Sequence, residues 1–505
     1  MIASNGMMQA ELFILRLSRS SGVLGLAGMA FTSEMFPEFP NFSRDRSKAH
    51  GILLVRPLLE FSKEDMYDIC RGGNQQWVED PTNRSPIYAR NRIRMSLSNL
   101  SSPMFKAELH AAISECRRTR LHVDRLCHLL LNEIVSIMPH GYAVINIETL
   151  QSMQVKDIYL AKFAALVLQF ISQRHRPVRG NASKLLLNYL KTFPCKTCLT
   201  VAGCYLCPAP GSKGTKVLVC CSIDSSLPIL MKLFPAYSYG GQYCFATSKL
   251  EQIVKDSEAY LNRSIPDALS VPFLDVTSSE SVLLEAKRLG ILSESTYRSI
   301  VSLQKEESEK FKSKGENISD FVSKEDMRFS GATLSKLIYP GQVGYFMNRF
   351  VLDWKACNRV TYNALPMNES VPVKELDSEG QCCCSSYLIG DEMVAEVRPM
   401  IDADWVYLSD LSKKTLGDQS QNHPAVKTER LTGRAMDYAI LSARNALLSL
   451  KCIPVAARRA MPVLVHAKGV LLSIPSIGFS CCPHLVVTAD FNPRIPLGGG
   501  HSSFP

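Results

Sequence analysis

The chain has 505 residues, 46% apolar and 21% charged, a usage that excludes a fibrous or wholly disordered protein and leaves room for about two or three domains with their own cores. Its formal charge of +10 at pH 7 favours a polyanionic partner through long-range steering, although an excess spread over so large a chain is weak evidence taken alone. No apolar run reaches the roughly 20 residues of a membrane span, and Met1-Ile2-Ala3-Ser4-Asn5-Gly6 reads neither as a signal peptide nor as an arginine- and serine-rich transit segment.

In chain order, residues 7 to 19 read as an amphipathic helix with Ala10, Phe13, Ile14 and Leu17 on one face. Ile52-Leu53-Leu54-Val55 is a short apolar run suited to a buried parallel strand, ending at Arg56-Pro57-Leu58-Leu59, and Lys63 to Cys70 follows as a helix closed by Gly72-Gly73. Next comes the densest polar stretch, Trp77-Val78-Glu79-Asp80-Pro81-Thr82-Asn83 running on to Arg90-Asn91-Arg92-Ile93-Arg94. Asp80-Pro81-Thr82-Asn83 is strong turn chemistry: proline pre-sets φ, and Asp and Asn bond their own backbone, which would hold acid and amide outward on a rigid loop. The guanidiniums that follow are planar forks suited to phosphate. In an open α/β sheet ligands sit beyond the strand carboxyl ends, so Arg56 and the Asp80 loop are expected beside a substrate.

From Phe105 to Ile137 the pattern is helical and charged, with His110, His122 and His128 scattered in it and expected on the surface. Helix continues from Ile158 through Phe170, is interrupted at His175-Arg176-Pro177-Val178-Arg179-Gly180, and resumes from Ser183 to Leu190. Gln304 to Lys310 reads as an exposed helix or, by default, a mobile linker. Near the end, Arg434 to Leu450 is a helix, Ile453-Pro454 with Arg458-Arg459 a turn, and Pro462 to Val465 and Leu471 to Ile474 are strands. Arginines gather three times: Arg84, Arg90, Arg92 and Arg94; Arg117, Arg118, Arg120 and Arg125; then Arg174, Arg176 and Arg179 with Lys184. Each group alone suits a solvated helix face better than an RNA contact.

Adjacent cysteines (Cys220-Cys221, Cys382-Cys383-Cys384, Cys481-Cys482) do not read as a spaced disulfide framework, which points to a reducing compartment. Cys195, Cys198, Cys204 and Cys207 invite a four-thiolate zinc reading. The five residues between the two pairs are far fewer than the roughly 15–20 of the usual pattern, and Val201-Ala202-Gly203 suggests a hairpin carrying buried thiols; buried core thiols are preferred, and no metal ligand is assigned.

The Arg56-Pro57-Leu58-Leu59 strand end, the helix after it, the Trp77 to Asn83 loop and the Arg90 to Arg94 helix start together resemble the tRNA(Ile)-lysidine synthase family of PP-loop ATP pyrophosphatases. Gln9-Ala10-Glu11, Leu15-Arg16-Leu17-Ser18-Arg19-Ser20-Ser21-Gly22 and Gly25-Leu26-Ala27-Gly28-Met29 resemble the family's preceding landmark. The resemblance implies an α/β fold: the rear half of a PP-loop parallel-sheet nucleotide-binding domain (1–100), a helical tRNA- and substrate-binding domain (101–250), an extension with a charged linker (251–430), and a C-terminal α+β, β-rich tRNA-binding domain (431–505). Family members open with a serine-glycine-glycine-x-aspartate-serine loop for ATP, found nowhere in this sequence. Where they carry a histidine and paired aspartates, this chain has Ser4, Asn5, Gly6, Met7 and Met8. Hard cations want carboxylate oxygens, so the expectation is a truncated member, inactive alone, with a catalytically dead tRNA-binding or interaction protein as the alternative.

For a complete member the resemblance implies ATP and Mg²⁺ as cofactors, with tRNA(Ile) and L-lysine as partners, and it admits a homo-dimer. ATP adenylates C2 of the wobble cytidine in a CAU anticodon, and the lysine amine then displaces AMP. Such a site needs a carboxylate for the lysine ammonium and contacts to a splayed base. Carried onto this sequence, Asp80 and Arg90 are the catalytic candidates. Arg56, Asn83, Arg92, Arg94, Arg458 and Arg459 are the substrate and tRNA candidates, and Arg19, Ser21 and Gly22 would face the nucleotide. The competing reading is structural, with Asp80 capping its turn and arginines pairing with Glu79. The long C-terminal continuation resembles plant members, which implies a plastid address.

Overall fold

A computed structural model describes residues 6–36, 52–59, 61–100, 102–174, 178, 180–223, 231–234, 271–276, 278–315, 334–335, 337–355, 394–415, 433–466, 468–500 and 502–503. Arg176, Arg179, the Cys382 triplet and most of 251–430 lie outside them.

The first helix, α1 (Gly6–Ser18), buries Phe13, Ile14 and Leu17 completely, as its apolar stripe dictates. A short α2 (Val23–Leu26) precedes β1 (Thr32–Met35) and β2 (Ile52–Val55). The expected parallel pairing of residues 52–55 is not what forms: Thr32 pairs with Val55 and Met35 with Ile52 in an antiparallel ladder. Four apolar residues do not encode strand direction, and Ile52 is 53% exposed, so this run is not covered on both faces as a parallel strand would be. Next come α3 (Lys63–Gly72), α4 (Ala89–Leu100) and the long α5 (Pro103–Ile134), whose Ser102 cap accepts the Phe105 amide. His122 on α5 is buried rather than on the surface, its ring 6.0 Å from that of Tyr159, because its position shares the face of Thr119 and Val123.

An antiparallel sheet follows, in the order β3 (Val135–Met138), β4 (Tyr142–Asn146), β7 (Lys216–Cys221), β6 (Cys204–Pro208) and β5 (Leu199–Val201). Packed with it are α6 (Ile147–Ser152), α7 (Asp157–Ser172) and α8 (Asn181–Lys191). The β5–β6 hairpin turns on Ala202 and Gly203, both at positive φ. Cys204 and Cys207 sit three positions apart on β6, hence on opposite faces, and Cys204 donates to the Leu168 carbonyl in the core. Four thiols so divided do not converge on one zinc ion.

The remaining elements cross the boundaries expected at 250 and 430. One sheet runs β17 (Val487–Phe491), β12 (Phe350–Trp354), β11 (Val343–Phe346), β8 (Met231–Phe234) and β9 (Leu334–Ser335), joining strands from before 250 and after 430. Another runs β10 (Leu337–Ile338), β13 (Ala395–Pro399), β14 (Pro462–His466), β15 (Leu471–Ile474) and β16 (Phe479–Ser480). Ser502–Ser503, as β18, adds to β1. Every strand pair among the described residues is antiparallel. Arg349, fully buried, ties two sheets together: it donates to the Gly141 carbonyl in the β3–β4 turn and stacks 5.4 Å from Phe350 and 5.6 Å from Phe491. Gly141 has φ +82°, and a Cβ there would come within 2.7 Å of Phe350, so the turn requires glycine.

Five further helices lie among the described residues: α9 (Ser279–Arg288), α10 (Glu294–Gly315), α11 (Asp402–Lys413), α12 (Gly433–Lys451) and α13 (Val455–Arg458). The expected linker at Gln304 to Lys310 is the middle of α10, which packs on α1 and α4. Ile300, Leu303, Gln304 and Glu307 form one helical stripe, all buried; Glu307 faces Arg92 rather than solvent, which is why composition alone suggests a linker.

Candidate functional site

The Asp80 loop is built by three local devices. Asp80 caps a 3₁₀ turn over Pro81–Arg84, its Oδ1 accepting the Thr82 amide at 2.8 Å. Asn91, 7% exposed on the first turns of α4, donates through Nδ2 to the carbonyls of Thr82 (2.8 Å) and Ser85 (2.9 Å). Arg92 Nη1 donates to the carbonyls of Pro86 (2.8 Å) and Ile87 (3.0 Å). The side chains of Asp80, Asn83 and Arg84 are left in solvent. The Thr82 amide holds the Asp80 carboxyl below its ordinary value, so it is ionised at neutral pH.

The arginines divide by partner. Arg92 meets Glu307 in a bidentate pair, Nε to Oε1 at 3.0 Å and Nη2 to Oε2 at 2.7 Å. Arg94 grips Glu11, a carboxylate only 1% exposed on α1, at 2.7 and 3.3 Å. Arg90 approaches the same carboxylate no closer than 3.9 Å and is half-exposed. Arg84 reaches Glu79 at 3.7 Å, the pairing weighed for the arginines of this stretch. Arg56 donates to the Ala30 carbonyl (2.8 Å) and Ser33 Oγ (3.1 Å), tying the end of β2 to the start of β1. In the second arginine group, Arg118 pairs with Glu115 and Arg120 with Asp124, so these two are committed along their own helix.

Near the second landmark, the amides of Ser20, Ser21, Gly25 and Leu26 donate to carbonyls of Leu17, Arg16 and Gly22 within the same turn. Arg16 adds a bond to the Gly28 carbonyl at 3.0 Å. These four amides are taken up within the turn and are not available to a phosphate. Arg19 lies 5.2 Å over the Phe311 ring of α10. Among the described residues no three His, Cys, Asp or Glu side chains converge as a metal site. Ser21 and Gly22 thus lie in a turn between α1 and α2 with no group of metal ligands beside them among the described residues.

At the other end of the chain, a groove of about 520 Å³ lies between α11 and α12, lined by Trp405, Ser409, Arg444, Leu448, Lys451 and Arg458. Arg458 stacks 5.6 Å from Trp405 and donates to the Ile453 carbonyl, and burial lowers its pKa. Arg459 pairs with Asp402 at the surface. The two adjacent arginines thus have different surroundings, and only Arg458 lines the groove.

Sequence reading passed over Glu11 and Glu307, the two acids that hold Arg94 and Arg92. A single acid within an apolar helical stripe was the available signal for both.

A family model described as a PP-loop domain matches residues 1–101. The tRNA(Ile)-lysidine synthase of Ruegeria pomeroyi is 32% identical over 130 residues, 26% of this chain and 28% of that protein. That of a Bradyrhizobium species is 38% identical over 94 residues, 19% of this chain and 22% of its own. That of the Wolbachia of Brugia malayi is 26% identical over 202 residues, 39% and 42% respectively. The chain thus spans less than half the length of these curated relatives. The loop from Trp77 to Arg94 lies inside the matched segment, so residues 1–101 are similar to a PP-loop domain and the chain is similar, over part of its length, to tRNA(Ile)-lysidine synthases.

Proposed function

We propose that this chain serves the ligation of L-lysine to C2 of the wobble cytidine in a tRNA(Ile) with a CAU anticodon, contributing the substrate-facing loop. The observation that carries this reading is the Asp80 loop: an ionised carboxylate, an amide and a guanidinium held outward by a turn that is itself pinned to α4. A fixed carboxylate can pair with the lysine ammonium and take its proton, while Asn83 can bond a base edge. Arg90, without a close ion-pair geometry, is the arginine best placed to take a phosphate; Arg92 and Arg94 position the loop and helix instead. ATP use follows from the family, and its chemistry is activation of the cytidine carbon.

A second reading, RNA binding without catalysis, is favoured by the self-bonded amides of Ser20, Ser21, Gly25 and Leu26 beside the nucleotide-facing candidates. One experiment separates the two. The chain is incubated with ATP, lysine and tRNA(Ile) bearing CAU, and lysidine is sought by mass spectrometry of nuclease digests beside a filter-binding assay. Conversion supports the first reading, binding without conversion the second, and neither result would sink both. A plastid location belongs to the same proposal, tested by imaging a fluorescent fusion.

A further inference from the structure

Helix α3 has an amphipathic sequence yet no buried residue, so it stands away from the core. What joins it to the following loop is one aromatic contact and one acid. The rings of Tyr67 and Trp77 lie 5.3 Å apart at 41°, and Glu79 accepts the Tyr67 hydroxyl while pairing with Lys63 at 3.5 Å. Trp77 is 44% exposed, a large apolar ring half open to water three residues before Asp80. A tilted neighbour covers part of the indole and leaves the rest available. Cations surround this pair: Lys63 Nζ is 4.9 Å and the Arg71 guanidinium 6.0 Å from the Tyr67 ring centroid, and Arg84 is 86% exposed on the same loop. Of the acids beside these cations, Glu79 is occupied by Lys63, Tyr67 and Arg84, and Asp68 pairs with Arg71 at 3.2 Å on the exposed face of α3.

An exposed π-face set among cations suits a particular occupant. Apolar protein surfaces do not call for the ring of guanidinium and ammonium groups, and duplex RNA keeps its bases stacked inside. Single-stranded RNA offers both a base to stack and phosphates to neutralise. We propose that Trp77 is a stacking platform for an unpaired base of single-stranded RNA, with Lys63, Arg71 and Arg84 drawing in the flanking phosphates. This rests on the RNA-directed reading above and adds to it a residue that grips the base rather than the reacting groups. With Asp80 on the same short loop, a base stacked on Trp77 would lie beside the carboxylate.

The test uses the full chain and an RNA hairpin with a CAU-containing loop at low salt, in a Trp405→Phe background so that Trp77 and the buried Trp354 are the tryptophans present. The hairpin should quench the exposed indole, and Trp77→Ala should weaken binding by about tenfold, whereas Trp77→Phe should retain most of it. Replacing the loop bases by abasic sites should remove the Trp77→Ala penalty, a result that a purely structural tether of α3 would not give. Unchanged affinity in Trp77→Ala with no quenching, while the hairpin still binds, would overturn the platform and leave the RNA reading standing. No binding of any RNA by the unsubstituted chain would overturn that reading and this inference with it. Should Trp77→Ala unfold α3, as circular dichroism would report, the Phe variant and the abasic comparison carry the decision.

Discussion

The guanidinium of Arg92 is shared between two tasks: Glu307 holds Nε and Nη2 from α10, while Nη1 holds the Pro86 and Ile87 carbonyls of the loop that follows Asp80. A helix 215 positions away in sequence therefore braces the candidate site. Removing Glu307 leaves a mostly buried arginine half satisfied, so Glu307→Ala should cost roughly 2 kcal/mol, below the figure for a fully buried pair because Arg92 retains some solvent. Replacing both partners by methionine should cost less than that single change. Denaturant unfolding of the single and double variants measures it, and equal stability of Glu307→Ala and the unsubstituted chain would refute the brace.

The same pair sets an acid dependence. Burial pushes the Glu307 carboxyl up, but the hydrogen bonds and charge of Arg92, with Lys310, outweigh it and leave the pKa below its ordinary 4.5. A carboxyl lowered in the folded state stabilises that state fully above its unfolded value and loses the contribution as pH falls through the folded one. The stability difference between the unsubstituted chain and Glu307→Gln should accordingly be flat at neutral pH and shrink below about 4.5. A difference that instead grew on acidification would reverse the assignment.

Asp80 has a cap role that must be separated from any chemical one. Asparagine caps a turn as well as aspartate does, so Asp80→Asn should leave thermal stability unchanged, and Asp80→Ala should lower it slightly. If the carboxylate faces lysine, both variants lose lysine-dependent chemistry or binding alike. Asp80→Asn with full function and Asp80→Ala without it would mean that the turn alone matters.

Much of this arrangement was legible beforehand, for reasons that can be named. The α1 stripe and the Pro81 turn are local signals, and both elements formed where those signals lay. Strand direction at Ile52–Val55 was not legible, since four apolar residues carry no information about their partner. Nor was the fate of the arginines: Arg90, Arg92 and Arg94 look alike in sequence, and their different roles come from Glu11 and Glu307, one on α1 and one on α10. His122 was misplaced for a similar reason, its buried face being set by the packing of α5 against the helices around it.

The described thiols should separate by burial under alkylation. Cys127 and Cys220 are both pushed up to about 12 by burial, and burial likewise raises Cys116 and Cys204. Thiols held protonated and covered are poor nucleophiles, whereas Cys198 and Cys452 are exposed. Peptide mapping after brief iodoacetamide treatment should find Cys198 and Cys452 labelled in the native chain and the other four only after unfolding. Early labelling of Cys204 would mean that the β6 face is not packed as described.

Arg90 and Arg94 provide the sharpest contrast, because they share one acid. Arg94→Ala would leave Glu11, almost wholly buried, with an arginine 3.9 Å away, and should cost roughly 2–3 kcal/mol, discounted because Arg94 is itself about a third exposed. Arg90→Ala removes a side chain that makes no close pair and should change stability little. In RNA binding the order should invert: if Arg90 takes a phosphate, its loss weakens binding across RNA sequences and lowers the slope of log affinity against log salt by about one. A slope unchanged in Arg90→Ala but reduced in a folded Arg94→Gln variant would move the phosphate contact to Arg94, and with it the assignment of which guanidinium faces the RNA.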